Sequence, residues 1–292
     1  MRKILLIISA MVLCGFLLNA CTNAQLEQEA EESMNTTESV TASKPRAEVL
    51  NIESGEKEIY GKIYFPGTEK KCPAVILSHG YNGCHTDFIS ECNYFSQNGY
   101  VACTFDFCGG STRSRSSGKS TDMTIFTEKD DLLAVIDYVA SLEQVDTSRI
   151  FLLGGSQGGL VTALAAEERS EQIRGMVLYF PAFNIPDDWR ANYPRVEQIP
   201  ETVDFWGLQL GREFFVSMRD FSSYDNIGGF ENEVLIIHGD QDTIAPLSAS
   251  RRAVQEYEYA EVIVLPGEGH GFSAAGGKTA MEKALRFMED LD

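Results

Sequence analysis

Short apolar runs alternate along this chain with longer amphipathic stretches. The runs are rich in Val, Ile and Leu, and they predict buried strands at 74–78, 101–105, 150–153, 175–179, 234–237 and 262–265. The stretches between them predict helices at roughly 87–98, 127–141, 157–168, 247–257 and 277–291. Strands that are apolar throughout are covered on both faces. The pattern therefore predicts an α/β fold with a mostly parallel central sheet and helices on both faces.

Three segments stand outside this alternation. Residues 49–53 and 58–65 predict an N-terminal hairpin ahead of the first buried strand. Residues 109–122 are rich in Gly, Ser, Thr and Arg, and they form either a loop that borders a pocket or a flexible connection. Residues 181–230 are longer than an ordinary connection and rich in aromatic side chains, which predicts a small lid inserted into the domain.

The first 20 residues have the pattern of an export signal. Arg2 and Lys3 precede an apolar run of about 15 residues, which is shorter than the ~20 that a membrane-spanning helix needs. The run ends in Leu-Asn-Ala-Cys, which resembles a bacterial lipobox and predicts cleavage before Cys21 and lipidation of that residue. Residues 21–45 are polar and predict a disordered tether. We therefore expect residues 46–292 to form one domain anchored by lipid in the bacterial cell envelope.

The composition of the chain is acidic. It has 24 basic and 43 acidic residues, and loss of Arg2 and Lys3 with the signal leaves 22 against 43, a mature charge of −21. Nucleic-acid binding relies on Lys and Arg to contact phosphates, so this charge argues against a nucleic-acid partner. It also disfavours contact with anionic lipid headgroups, and we expect contact with the membrane only through the lipid on Cys21. With 292 residues and 43% hydrophobic content, the chain can bury one large core.

Cysteine and histidine usage gives no sign of a metal. Cys14 leaves with the signal and Cys21 takes the lipid, so five of the seven cysteines remain in the domain. None of them forms a Cys-x-x-Cys pair, and no His, Cys and Asp cluster has zinc spacing. We expect no metal and no cofactor. Whether Cys84 and Cys92 form a disulfide is left undecided by the sequence, since such a bond requires an oxidising compartment.

The strongest chemical signal lies around Ser156. An apolar run leads into Gly154-Gly155-Ser156-Gln157-Gly158, and small residues suited to a helix follow. This Gly-x-Ser-x-Gly arrangement predicts a nucleophile elbow, a tight strand-to-helix turn that exposes the serine hydroxyl. Glycine at 154 and 158 lets the strand and the helix approach more closely than a Cβ would permit.

An acid and a histidine follow in the order that a catalytic triad requires. Asp242 lies in the loop after the strand at 234–237, and His270 lies in the loop after the strand at 262–265. Ser156 is a weak nucleophile until His270 removes its proton, and an acid must hold the imidazole and stabilise its charged form. Asp240 is the alternative acid. We favour Asp242 and expect Asp240 to cap the turn through its own backbone.

The oxyanion hole is predicted in the loop after the strand at 74–78. In this arrangement one backbone N–H comes from that loop and one from the residue after the nucleophile, which assigns Tyr81 and Gln157.

The remaining histidines have other expected roles. His79 and His238 stand beside glycine at strand ends, where a structural role is expected. His85 is expected in a loop or at a pocket rim.

From about residue 46 to the C-terminus, the chain resembles the α/β-hydrolase-fold serine esterases. It is most similar to the bacterial cinnamoyl (feruloyl) esterases. The resemblance rests on six stretches: 79–80, 154–159, 187–188, 199–200, 208–211 and 238–242. It implies an α/β-hydrolase fold with a small inserted lid. It also implies that Asp188 contacts the phenolic hydroxyl of the substrate. A tyrosine that shares this contact in the relatives falls at Phe214 here, and the stretch that supplies them a glutamine is shortened between Asp188 and Ile199.

The sequence therefore predicts a serine carboxylic-ester hydrolase that acts through an acyl-enzyme on small ester substrates, hydroxycinnamate esters among them. A serine peptidase of the dipeptidyl-aminopeptidase type is the alternative within this fold. A rival from another class is a non-catalytic binding lipoprotein at the cell surface.

Overall fold

The computed structural model describes residues 45–291, with a twisted eight-stranded sheet at the centre. Its strands are β1 (Arg46–Ser54), β2 (Lys57–Phe65), β3 (Cys72–Ser78), β4 (Val101–Phe105), β5 (Val145–Gly155), β6 (Ile173–Tyr179), β9 (Glu233–Gly239) and β10 (Ala260–Leu265). They lie in the order β1-β2-β4-β3-β5-β6-β9-β10. From β4 to β10 all neighbours are parallel, whereas β1, β2 and β4 pair antiparallel. The predicted hairpin and mostly parallel sheet are confirmed.

Helices cover the sheet on both faces. They are α1 (Ile89–Gln97), α2 (Ile125–Ala140), α3 (Gln157–Glu168), α4 (Ile185–Asn192), α5 (Arg212–Val216), α6 (Leu247–Glu256) and α7 (Ala274–Asp290). Successive residues of a strand point to opposite faces of the sheet, so their side chains pack into two separate hydrophobic cores. Ile76 of β3 joins the core with α2 and α3, and its neighbour Val75 joins the core with α1 and α7.

The connection between β6 and β9 runs from 180 to 232 and has structure of its own. It contains α4, α5 and the antiparallel hairpin of β7 (Thr202–Phe205) and β8 (Leu208–Gly211). The hairpin turn uses Trp206 at φ 45° and Gly207 at φ 79°. We call the segment 180–232 the lid.

The predicted elements differ from the observed ones mainly at their ends. The helix expected at 87–98 begins as a 3₁₀ turn over His85–Phe88 before α1 takes over. The predicted signal, the lipidation site at Cys21 and nearly all of the predicted tether lie outside the described residues. Within residues 45–291, no helix has the length and apolar character that crossing a membrane demands.

Candidate active site

Ser156 lies in the tight turn between β5 and α3. Its φ of 53° and ψ of −121° are an uncommon conformation for a residue with a side chain, and they are held by the Ser156 N–H donating to the Tyr179 carbonyl at 3.0 Å. A Cβ at Gly158 would overlap the backbone carbonyls at the end of β3, and one at Gly154 would overlap Gly158. Both glycines are therefore required by close approach, as the sequence suggested.

A line of hydrogen bonds connects the three residues predicted as a triad. Ser156 Oγ lies 2.8 Å from His270 Nε2, and His270 Nδ1 lies 2.8 Å from Asp242 Oδ2. The Asp242 side chain has no exposed area, whereas that of His270 is 16% exposed. The hydroxyl, the imidazole and the carboxylate are thus in hydrogen-bond contact although they come from three separate loops.

The two candidate acids have different surroundings. Asp242 Oδ1 accepts the backbone N–H groups of Ile244 and Ala245 at 2.9 and 3.0 Å, which fixes its other oxygen toward His270. Asp240 is exposed, and its Oδ1 accepts the Gly267 N–H at 2.8 Å. That hydrogen bond lowers the pKa of the Asp240 carboxyl. Asp240 therefore caps the turn after β10 rather than its own turn.

His238 also contacts the Asp242 carboxylate, which the sequence did not indicate. Its Nε2 lies 2.9 Å from the Ala245 carbonyl oxygen and 3.2 Å from Asp242 Oδ2. A proton on Nε2 donates to both oxygens, and Nδ1 then accepts from Ser250 Oγ at 2.7 Å. Burial lowers the pKa of His238, which favours this neutral form.

The loop after β3 packs directly against Ser156. A Cβ at Gly80 would lie 3.1 Å from Ser156 Cβ and 3.7 Å from its Oγ. Tyr81 follows Gly80, and Gln157 opens α3, so both predicted oxyanion residues border the serine. Asn82 at φ 51° turns this loop, and the 109–122 segment holds it because Thr112 N and Ser111 Oγ bond to Asn82. That segment is thus anchored on the loop that carries Tyr81.

The lid closes over a cavity of about 260 Å³ that reaches Ser156. We call it the lid cavity. Its walls are mostly apolar and aromatic, with Trp189, Phe205 and Trp206 from the lid and Tyr81 from the loop after β3. Both residues that the resemblance implied for substrate binding line it. Asp188 is exposed at the wall and accepts from Asn184 Nδ2 at 2.6 Å, whereas Phe214 is almost fully buried.

The structure corrects the expectation for His85. It is buried, and its Nδ1 lies 2.8 Å from Asp106 Oδ1, so it belongs to the interior rather than to a loop or a rim.

The cysteines that the structure describes are free thiols. Cys84 and Cys92 are both buried and unbridged, which answers the question of a disulfide. In the described chain, Cys84, His85 and Asp106 bring possible ligand atoms within 4.8 Å of one another. Cys84 Sγ already contacts Thr86 Oγ1 at 3.0 Å. The absence of a bound metal stays a prediction.

Comparison with known proteins places the chain in a family. The family model described as the prolyl oligopeptidase family matches residues 86–291. The chain belongs to the prolyl oligopeptidase family. It is 31% identical over 103 residues to an uncharacterised 31.7 kDa protein of Escherichia coli, and 27% identical over 126 residues to the quorum-quenching protein AidA of Acinetobacter baumannii. These matches cover 34% and 41% of this chain and only 35% and 39% of the two relatives.

Solved structures extend the likeness over the whole domain. Est1E from Butyrivibrio proteoclasticus, solved with ferulic acid bound, is 26% identical with a TM-score of 0.76, covering 83% of this chain and 98% of Est1E. DcsB, solved with its substrate analogue, is 17% identical with a TM-score of 0.71 over 84% of this chain and 99% of DcsB, and it supports the fold alone. The α/β-hydrolase fold, the similarity to cinnamoyl esterases and the expectation of a hydrolase are confirmed.

A buried carboxyl group lies beside Gln157, one of the two predicted oxyanion residues. Glu128 on α2 is 1% exposed, and its Oε2 accepts from Gln157 Nε2 at 2.8 Å. Burial raises the pKa of Glu128 from 4.5 to about 8, with a smaller contribution from nearby Asp131 and an opposing one from Gln157. This contact could not be predicted from the sequence, because Glu128 and Gln157 are 29 positions apart.

This carboxyl group should make stability depend on pH. The native state keeps a proton that the unfolded chain releases near pH 4.5, so its stabilising contribution is complete below that pH and is lost as the pH rises through about 8. Glu128→Gln keeps an oxygen to accept the Gln157 bond and cannot ionise. Urea unfolding at pH 5 and pH 8.5 should show a smaller fall in unfolding free energy for this variant than for the wild type. An equal fall in both proteins would contradict the assignment.

Proposed function

We propose that this protein is a serine carboxylic-ester hydrolase in which Ser156 forms an acyl-enzyme. The observation that carries the proposal is the unbroken line of 2.8 Å contacts from Ser156 Oγ through His270 to Asp242, opening onto a preformed apolar cavity. The likeness to Est1E supports an ester as the bond cleaved.

The contacts suit the two halves of such a reaction. His270 Nε2 takes the Ser156 proton as Oγ attacks the carbonyl carbon, and the backbone N–H groups of Tyr81 and Gln157 stabilise the oxyanion. Nε2 then gives its proton to the departing alkoxide, which leaves as the alcohol. Water, deprotonated by the same nitrogen, attacks the acyl-enzyme, and the proton returns to Oγ as the acid leaves. Asp242 keeps Nε2 free to act by accepting from Nδ1.

The lid cavity suits an aromatic acyl group. Its aromatic walls favour a flat ring, and Asp188 supplies an acceptor at the wall for a hydroxyl on that ring. Ferulic acid is the ligand in the Est1E structure, and it is a hydroxycinnamate. We therefore propose hydroxycinnamate esters as substrates.

The experiment compares three substrates on one enzyme preparation: p-nitrophenyl acetate, methyl ferulate and an aminoacyl-p-nitroanilide. Hydrolysis of the first two and not of the third supports the proposal. Cleavage of the anilide at a higher kcat/KM than either ester would replace it with the peptidase function. The match to the prolyl oligopeptidase family is the observation that keeps this second candidate in the test.

Asp188 should set a preference for a phenolic hydroxyl. A single modest hydrogen bond is worth about 1–1.5 kcal/mol, so a 4-hydroxycinnamate ester should react about tenfold faster in kcat/KM than the cinnamate ester. Asp188→Ala should remove much of that preference. Asp187→Ala is the matched control, because Asp187 is the adjacent acid and pairs with Arg190 instead of lining the cavity.

A tyrosine at Phe214 gives a second readout of the same contact. Phe214→Tyr should raise the preference for the hydroxylated ester if its ring faces the bound acyl group. Equal rates on the two esters in the wild type and in both cavity variants would mean that the lid cavity takes another acyl group.

We also propose that the protein is exported and anchored by lipid on Cys21. The Leu-Asn-Ala-Cys sequence after an apolar run supports this. Expression in bacteria should place the wild type in the membrane fraction and leave Cys21→Ser outside it. Equal partition of both proteins would contradict the anchor.

A further inference from the structure

Ser156 borders a second cavity as well as the lid cavity. The second cavity has a volume of about 290 Å³, and its lining shares only Ser156 with the lining of the lid cavity. Besides the serine, its walls carry four aromatic side chains and two acids: Phe88, Tyr179, Phe180, Phe272, Asp87 and Glu91. An ester has an acyl half and an alcohol half, and a nucleophile between two cavities provides one for each.

The second cavity lies on the His270 side of the nucleophile. The Phe180 ring meets the His270 imidazole edge-on with centroids 4.9 Å apart, and Phe272 packs on Phe180 at 4.8 Å. Phe180 is held there at φ 36°, a strained conformation for a bulky residue. In the proposed function, His270 Nε2 protonates the leaving oxygen. The group attached to that oxygen therefore extends toward the walls that surround His270.

Two of the residues that line this cavity carry a polar atom without a hydrogen-bond partner. Glu91 Oε2, in the first turn of α1, and the Tyr179 hydroxyl are buried without a hydrogen bond. Tyr179 as a whole is only 2% exposed. Burial raises the pKa of Glu91, and burial raises that of Tyr179 as well, with a smaller contribution from the nearby Glu91 carboxylate. A buried polar group without a partner is costly, so a ligand that brings a hydrogen-bond donor to the Glu91 carboxylate would stabilise the site.

The charges around the cavity favour a cation. Its lining, all within the described residues, contains Asp87 and Glu91 and no basic side chain. Arg113 contacts both Asp87 carboxylate oxygens at 3.2 Å, which neutralises that acid and leaves Glu91 as the uncompensated charge. Aromatic faces around a carboxylate are a favourable site for an ammonium group.

We propose that the second cavity binds the alcohol half of the substrate, and that it selects an alcohol bearing a protonated amine. The inference rests on the proposed ester hydrolysis. The ammonium N–H donates to the Glu91 carboxylate while its methylene groups pack on the aromatic rings. No new bond chemistry is required, since the amino alcohol is the leaving group that His270 protonates.

The test uses two esters of one acid that differ only in charge. The alcohol parts are 2-(dimethylamino)ethyl, which is protonated at neutral pH, and its carbon isostere 3-methylbutyl. The wild type should hydrolyse the cationic ester about tenfold faster in kcat/KM. Glu91→Gln, which has the same shape without the charge, should bring the ratio near one.

A matched control separates local contact from the overall acidity of the protein. Glu143 is exposed just before β5, at the end of that strand remote from Ser156, so Glu143→Gln removes one negative charge elsewhere. It should leave the tenfold preference intact. A fall equal to that in Glu91→Gln would assign the preference to net charge and overturn the site.

A second variant tests the cavity without altering Glu91. Gly277 lines the cavity on α7, and a Cβ there would meet no atom within 4 Å. Gly277→Leu should fill this space, lowering hydrolysis of the dimethylaminoethyl ester relative to the methyl ester of the same acid. An unchanged ratio would show that the alcohol lies elsewhere.

The outcomes separate this inference from the proposed function. If p-nitrophenyl acetate is hydrolysed while the two isosteric esters react equally, the inference fails and the esterase stands. If a neutral 2,3-dihydroxypropyl ester reacted faster than the cationic ester, the inference would also be overturned. The second cavity would then select a polyol as the alcohol half of the substrate. If the wild type hydrolyses no ester, the proposed function fails and the inference falls with it.

Discussion

Replacing Ser156 with alanine should lower kcat for p-nitrophenyl acetate by a factor on the order of 10⁴ to 10⁶, because no other group supplies the attacking oxygen. The fold should be unaffected, since alanine removes one atom and leaves the strained turn unchanged. His270→Ala should cost a similar factor. The double variant should be no worse than either single one, because the hydroxyl and its base act as a unit.

Ser148→Ala is the matched control for this experiment. Ser148 is exposed toward the end of β5 remote from Ser156, and its hydroxyl donates to Asp146 on the same strand. Its kcat should equal that of the wild type. Thermal melting followed by circular dichroism checks the fold of each variant. Activity of Ser156→Ala near the wild-type value would remove the proposed mechanism.

Asp242→Asn should lower kcat by about 10⁴, whereas Asp240→Asn should leave it nearly unchanged. An amide at 242 cannot stabilise the imidazolium, and it can hold His270 in the wrong tautomer. Asp240 instead accepts the Gly267 N–H on the surface, remote from this exchange of protons. The two variants make the same chemical change two positions apart, so each controls for the other. Loss of activity in Asp240→Asn alone would transfer the acid role to that residue.

The pair of variants also separates charge from structure. Asp242 Oδ1 accepts two backbone N–H groups, so asparagine there risks loosening the loop as well as removing the charge. Asparagine keeps a carbonyl oxygen for these bonds. The melting temperature of Asp242→Asn should therefore stay close to that of the wild type, although its kcat falls by about 10⁴. A large fall in both would indicate a structural role.

The buried sheet and the three residues of the candidate triad could be predicted from the sequence because their signals are local. Each parallel strand is a run of Val, Ile and Leu, and Ser156 lies within its own glycine pattern. The lid hairpin lacked such a signal. Its turn is Trp206-Gly207, both at positive φ, where a hairpin turn ordinarily has asparagine or aspartate before the glycine.

Contacts between residues that are far apart in the chain could not be predicted from the sequence. His85 lies against Asp106, 21 positions away, and nothing near His85 in the chain indicates that partner. Nothing in the local sequence distinguishes Glu91 from an ordinary exposed acid on a helix. Only the fold brings it to a cavity with Tyr179 and Phe180. His238 was correctly predicted at a strand end. Its contact with Asp242, however, depends on the path of the loop after β9.

Rapid acid quenching followed by mass spectrometry tests the acyl-enzyme most directly. Enzyme mixed with excess p-nitrophenyl acetate and quenched during turnover should carry one acetyl group, and digestion should locate it on the peptide that contains Ser156. Ser156→Ala, treated in the same way, should carry none. Steady turnover by the wild type with no adduct, or with the adduct on another residue, would contradict the assignment of Ser156 as the nucleophile.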